Sequence, residues 1–203
     1  MIISQTHESL DRIATVVANG GVIAFRTDTF YGLGTDPFDR AAVQRIKELK
    51  GREDNKPILI VISDRAQVER FINEPSSSFQ ALAEKFWPGP LTLIGAARRE
   101  VAAEITAGTG TIGVRLPNDE RVVAFVRACG GALTATSANP SHKSPATSAQ
   151  AVRDYFGELV DMIIDDGEAQ TDAPSTVVDA TSDEPKLIRE GVIPWSRIQN
   201  RER

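Results

Sequence analysis

Apolar residues recur along this chain at two spacings, and the alternation between them predicts the elements. In SLDRIATVVANGG, Leu10, Ile13, Val16 and Val17 fall at helical intervals, and Gly20 and Gly21 supply a stop. VIAFR reads as a short strand. DRAAVQRIKELKG is amphipathic, with Ala42, Val43, Ile46 and Leu49 on one face. KPILIVIS is a run of aliphatic and β-branched residues that predicts a buried strand. AQVERFI and SFQALAEKF predict helices, closed by the break WPGP. LTLIGAA and TIGVRLP then predict strands, RVVAFVRAC a helix, and GALTATS another strand. SAQAVRDYFG is helical, and VDMIIDD, STVVDAT and PKLIREG are strands.

Strands interleaved with helices imply an α/β fold, a sheet covered by helices. The last two strands have no helix between them, so the sheet is expected to be mixed. Without internal repeats or a long linker, residues 1–203 are expected to form a single domain. A chain of 203 residues with 41% hydrophobic content can bury a core without disulfides. Its lone cysteine, Cys129, sits in an apolar run and is expected to be a buried, inert thiol.

The segment MIISQTHESLDRIA lacks the basic start and continuous apolar core of a signal peptide. No apolar stretch approaches the roughly 20 residues that cross a bilayer, so a cytoplasmic protein with no membrane partner is expected. A formal charge of −5 argues against a surface that grips nucleic acid as a whole, while leaving room for a local basic patch and weak tRNA contact.

Several chemistries find no residues to carry them. His7 and His142 are the only histidines, and no Cys-x-x-Cys or His-x-x-x-His spacing supplies a zinc site. Neither phosphate-loop pattern, G-x-x-x-x-G-K-[ST] or G-x-G-x-x-G, occurs.

Other stretches stand out. Residues 40–56 hold six basic residues (Arg40, Arg45, Lys47, Lys50, Arg52, Lys56) against three acids. In LKGREDNKP, Lys50 and Arg52 flank a glycine, which suits either a polyphosphate or a basic helix end facing its own dipole. TATSANPSHKSP offers Thr134, Thr136, Ser137 and Asn139 beyond a strand, either as phosphate ligands or as a self-capped turn. Arg115 inside the apolar TIGVRLP needs an anion, either a structural acid or a ligand carboxylate. Ser175 precedes a strand, and Arg189 is a second charge among apolar neighbours. Asp165, Asp166 and Glu168 are expected in a solvated loop, and Trp87 in the core.

Taken in order, RTDTFYGLG, KGREDNKP, WPGPLTL, TIGVRLP, TATSANPS and PSTVVDAT…LIREG resemble the YrdC-type threonylcarbamoyl-AMP synthase family over residues 8–194. The chain looks like the short, single-domain form. The resemblance implies a twisted mixed sheet flanked by helices, with a concave basic cleft. It also implies an enzyme that condenses L-threonine, bicarbonate and ATP into threonylcarbamoyl-adenylate, releasing pyrophosphate. A separate transferase complex would then carry the threonylcarbamoyl group to adenosine 37 of tRNAs that read ANN codons.

By the same resemblance, Lys50, Arg52, Ser137 and Asn139 form a catalytic tetrad on the ATP phosphates, joined by Thr111 and Arg189. Thr27, Tyr31, Arg115 and Ser175 line the threonine side. Mg2+ is expected as a cofactor held mainly by the triphosphate, with no dedicated protein metal site. One position departs from the family: proline is usual where this chain has Arg26. The exchange is expected to loosen the loop or to add charge at the cleft rim. The competing reading is a double-stranded RNA or tRNA-binding module of the same fold.

Overall fold

The computed structural model describes residues 1–27, 29–51, 56–169 and 173–199. The strands are β1 (Ile2–Ser4), β2 (Ile23–Arg26), β3 (Tyr31–Gly34), β4 (Leu59–Ile62), β5 (Leu91–Ala96), β6 (Thr111–Arg115), β7 (Ala132–Ser137), β8 (Met162–Asp165), β9 (Thr176–Asp179) and β10 (Lys186–Arg189). The helices are α1 (His7–Ala18), α2 (Arg40–Leu49), α3 (Ser77–Phe86), α4 (Ala103–Thr106), α5 (Glu120–Ala128), α6 (Ala149–Phe156) and α7 (Trp195–Gln199). The strands join in one sheet, in the order β1-β8-β2-β3-β7-β4-β6-β5-β9-β10. Parallel pairs (β1–β8, β2–β8, β4–β6, β5–β9) mix with antiparallel ones (β2–β3, β3–β7, β4–β7, β5–β6, β9–β10). The expected mixed α/β architecture is present.

Side chains alternate across each strand, so the two faces can be read from the core clusters. On one face Leu33, Ile60, Ile62, Leu93, Ile112, Val114 and Val178 meet the apolar sides of α2, α3, α4 and α6. On the other, Ile23, Phe25, Val61, Leu133, Ala135, Met162 and Ile164 meet α1 and α5. This second helical layer covers only part of its face. Beyond it, the same alternation along β5, β6 and β9 leaves a surface that no helix occupies.

Helix starts follow local chemistry. Asp39, Ser76, Asp119 and Ser148 each accept a backbone N–H at the first turn of α2, α3, α5 and α6, respectively. Trp87 is buried edge-on against Phe79, and its indole N–H donates to the Leu91 carbonyl at 2.7 Å, as its core assignment requires.

Four elements go beyond the sequence-based expectation: β1, β3, α4 and α7. AQVERFI is a 3₁₀ segment, Arg65–Arg70, in place of the expected α-helix. YGLG is the instructive case. RTDTFYGLG is a hairpin, with β2 and β3 paired from Ile23↔Gly34 to Arg26↔Tyr31. Leu33 points into the first core face, while both glycines face the other side. A Cβ on Gly34 would lie 2.6 Å from the Phe25 ring and 2.6 Å from the Thr134 carbonyl oxygen, so glycine admits the ring.

That ring anchors the layer by meeting Phe125 of α5 edge-on, centroids 4.9 Å apart. Phe125→Ala should therefore destabilise the protein by about 3–5 kcal/mol, measured by urea unfolding.

Candidate functional site

The uncovered part of the second face is the floor of a cleft of about 630 Å³. Leu59, Thr92, Ile94, Gly113, Arg115 and Val177 form the floor, two residues apart wherever they share a strand. Gly113 keeps this floor open, because a Cβ there would sit 3.1 Å from the Thr92 methyl. One wall is the β2–β3 turn with Thr27, Thr29, Phe30 and Tyr31; the opposite wall holds Pro174, Ser175 and Arg189. Ser137, at the end of β7, and Lys56, ahead of β4, close the rim.

The polar groups are held in place. The Thr27 hydroxyl donates to the Phe30 carbonyl at 2.8 Å and lies 3.0 Å from the Thr29 hydroxyl, which locks the turn. The Tyr31 phenol donates to the Gly167 carbonyl at 2.7 Å. Burial pushes its pKa above the ordinary tyrosine value, so it remains a neutral donor. Ser175 and Thr92 hydroxyls are 3.0 Å apart. Arg189 reaches from β10 to donate to the Ser175 carbonyl at 2.9 Å. Burial, and then the like charge of Arg115, lower the Arg189 pKa. Two neighbouring guanidiniums on the lining suit an anion. No aspartate or glutamate lies among the described lining residues.

The family model Sua5/YciO/YrdC, described as telomere recombination, matches residues 15–191. The chain belongs to this family. It is 38% identical to a threonylcarbamoyl-AMP synthase of Pyrococcus abyssi, with 92% of this chain aligned to 55% of that one. It is also 38% identical to a threonylcarbamoyl-AMP synthase of Thiobacillus denitrificans, with 84% of this chain aligned to 89% of that one. The chain thus spans little more than half the length of the Pyrococcus relative. The crystal structure of P. abyssi Sua5 complexed with L-threonine superposes with a TM-score of 0.91 at 36% identity, covering 98% of this chain and 58% of that one.

Of the residues expected in a Sua5/YciO/YrdC site, Thr27, Tyr31, Arg115, Ser137, Ser175 and Arg189 line this one cleft. Thr111 shares the face of Gly113 and Arg115 but sits at the far end of β6, with its hydroxyl 3.0 Å from that of Thr109. Arg52 lies outside the described residues. Lys50 and Asn139 are brought together behind the cleft. Lys50, only 2% exposed, ends α2, and its ammonium donates to the carbonyls of Ser137 at 2.5 Å and Asn139 at 2.9 Å. The Asn139 amide donates in turn to the Pro140 and Lys143 carbonyls. Lys50 therefore braces the loop that presents Ser137.

The basic stretch 40–56 is dispersed by folding. Arg40 pairs with Glu104 and Arg45 with Asp161, Lys50 is buried, and among the described residues of the stretch only Lys56 lines the cleft. Arg26 does not charge the rim: it is buried between Asp119 and Asp166. Asp166 is accordingly an ion-paired group, 7% exposed, and not part of a solvated loop. Burial pushes the Cys129 thiol up to about 12, leaving it protonated at neutral pH.

Lys56 and Thr92 line the cleft without having been expected there. Thr92 carried a signal, as the one polar side chain in the strand LTLIGAA. Lys56 stood out only within its basic stretch, because nothing local distinguishes it from its neighbours.

Replacing Lys50 should lower stability even without substrate. Lys50→Met is expected to cost about 1.5–3 kcal/mol in urea unfolding of the ligand-free protein, the scale of a hydrogen bond to a charged group. A lysine reserved for phosphate would leave that stability unchanged.

Proposed function

We propose that this chain is a threonylcarbamoyl-AMP synthase, making L-threonylcarbamoyl-adenylate, pyrophosphate and water from L-threonine, bicarbonate and ATP. The observation that carries this reading is the convergence of Arg115 and Arg189 with the hydroxyls of Thr92, Ser137 and Ser175 in one cleft. The substrates match that chemistry, since one carries a carboxylate and the other a triphosphate. The names of the relatives and the threonine complex of the Pyrococcus protein support it.

In the proposed reaction, bicarbonate takes up a proton and loses water to give CO2, and threonine's amine adds to the CO2 carbon to form a carbamate, releasing a proton that balances the one taken up. A carbamate oxygen then forms a bond to the α-phosphorus as the bond to the pyrophosphate oxygen breaks. Arg115 would pair with the threonine carboxylate, between Thr27 and Tyr31 on one wall and Ser175 on the other. Ser137, Arg189 and Lys56 would face the phosphates, joined by Thr111. Lys50 and Asn139 would hold Ser137 in position.

Such a displacement asks the protein to align reactants and neutralise charge, which cations and hydroxyls can do without a catalytic histidine or cysteine. Cations and hydroxyls on the described lining suit the triphosphate itself, and with no carboxylate among the described lining residues a Mg2+ ion would be held by the phosphates that bring it. When bound, it would neutralise phosphoryl oxygens while held by them and by water. The adenylate is an activated carbamoyl donor, to be consumed in the cytoplasm by a transferase complex acting on tRNA.

Incubation with ATP, Mg2+, labelled bicarbonate and L-threonine should yield threonylcarbamoyl-adenylate by mass spectrometry. Pyrophosphate release that ignores threonine would sink the proposal. Arg115→Ala should raise the threonine KM by about 10- to 100-fold, as expected for a lost charge-assisted contact of roughly 1.5–3 kcal/mol. Steady-state kinetics with varied threonine measures this.

A further inference from the structure

The β2–β3 hairpin ends on a rung formed by Arg26 and Tyr31, directly opposite one another in register. Both reach the same short segment after β8. Arg26 places Nη2 3.0 Å from Asp166 Oδ2 and 3.0 Å from Asp119 Oδ2. Asp166 also pairs, through its other carboxylate oxygen, with Arg121. The main-chain N–H of Asp166 points to the Tyr31 hydroxyl at 3.4 Å, and that hydroxyl donates to the Gly167 carbonyl. Asp119 is doubly used, because its second oxygen caps α5 by accepting the N–H of Arg121 at 3.0 Å.

Two cations and two carboxylates thus balance in a network whose inner members, Arg26 and Asp166, are each 7% exposed. Buried charges are retained at a desolvation cost and are weak contributors to stability, so the question is what this network fixes. Thr27 and Phe30 adjoin the Arg26–Tyr31 rung directly, and Thr27, Thr29, Phe30 and Tyr31 make the cleft wall. A shift of the rung would carry the whole wall with it.

We infer that Arg26 and Asp166 are positioning residues for amino-acid binding: their ion pair, extended by Asp119 and Arg121, clamps the hairpin end to the Asp166–Gly167 segment and so sets the Thr27–Tyr31 wall. The inference rests on the proposed function for the identity of the amino acid. The clamp acts on the threonine side alone, since the phosphate side is built on β7, β10 and the Lys50 brace.

Asp166→Asn keeps the shape and removes the charge. In this variant the threonine KM should rise by about tenfold, while the ATP KM stays within about twofold and kcat within about threefold. Arg26→Lys, which retains the charge, should keep all three within about threefold of wild type. Hydrogen exchange in Asp166→Asn should quicken in residues 27–31 and 165–167 and nowhere else. If Asp166→Asn does not fold, Arg121→Gln at the exposed end carries the test, with the threonine KM rising by about two- to threefold and the ATP KM holding. An equal rise in both KM values, no rise in either, or faster exchange across the whole protein would overturn the inference. Wild-type turnover that ignores threonine would count against the proposed function instead, and the exchange pattern would still report whether the network holds the wall.

Discussion

A ten-stranded sheet has two faces to hide, and this chain hides one of them only in part. The α1–α5 layer is pinned by Phe25 against Phe125, and it covers the β8, β2 and β7 end of its face. Strands β5, β6 and β9 continue that face with Thr92, Gly113, Arg115 and Val177, where large apolar side chains would otherwise demand cover. The cleft is the consequence. A helix packed there would bury two arginines, and larger apolar side chains there would add exposed apolar area.

Charge placement follows the same constraint. The cations of residues 40–56 and the acids of residues 161–168 look alike in sequence, yet folding sorts them by burial. Exposed Arg40 and Arg45 take ordinary surface pairs worth little to stability. Buried Lys50 and Arg26 are enclosed by fixed partners, carbonyl oxygens for the first and carboxylates for the second. Arg115 and Arg189 instead both line the cleft, where the like charge of Arg115 contributes to lowering the Arg189 pKa.

Most of the fold was legible because its strands and helices are amphipathic or apolar over their whole length. The exceptions have physical reasons. β3 has glycine at two of its four positions, so no alternation of side chains announces it, and the Phe25 ring fills the space that a Cβ on Gly34 would need. β1 is three residues long and forms only by adding to β8. AQVERFI carries a helical pattern, yet it forms 3₁₀ turns that Asp64 caps by accepting the Ala66 N–H. At the site, residues that both line the cleft and interrupt an apolar run were readable one by one, Arg115 and Arg189 above all. The job of Lys50 was not, because a lysine after a helix looks the same whether it meets phosphate or a carbonyl oxygen. The partners of Arg26 lie 93 and 140 residues away, beyond any local pattern.

Arg26 also bears on how a turn can be made rigid. Proline at that place would restrict φ covalently and would act through the unfolded chain as much as the folded one. Arginine restricts nothing locally. It fixes the rung by long-range contact, and only once β8, α5 and the hairpin have assembled. Rigidity of that kind couples the amino-acid wall to the packing of α5, whose first turn Asp119 caps with the same carboxylate that holds Arg26. The helix that closes one half of the sheet face is therefore tied, through one aspartate, to the wall of the cleft in the other half.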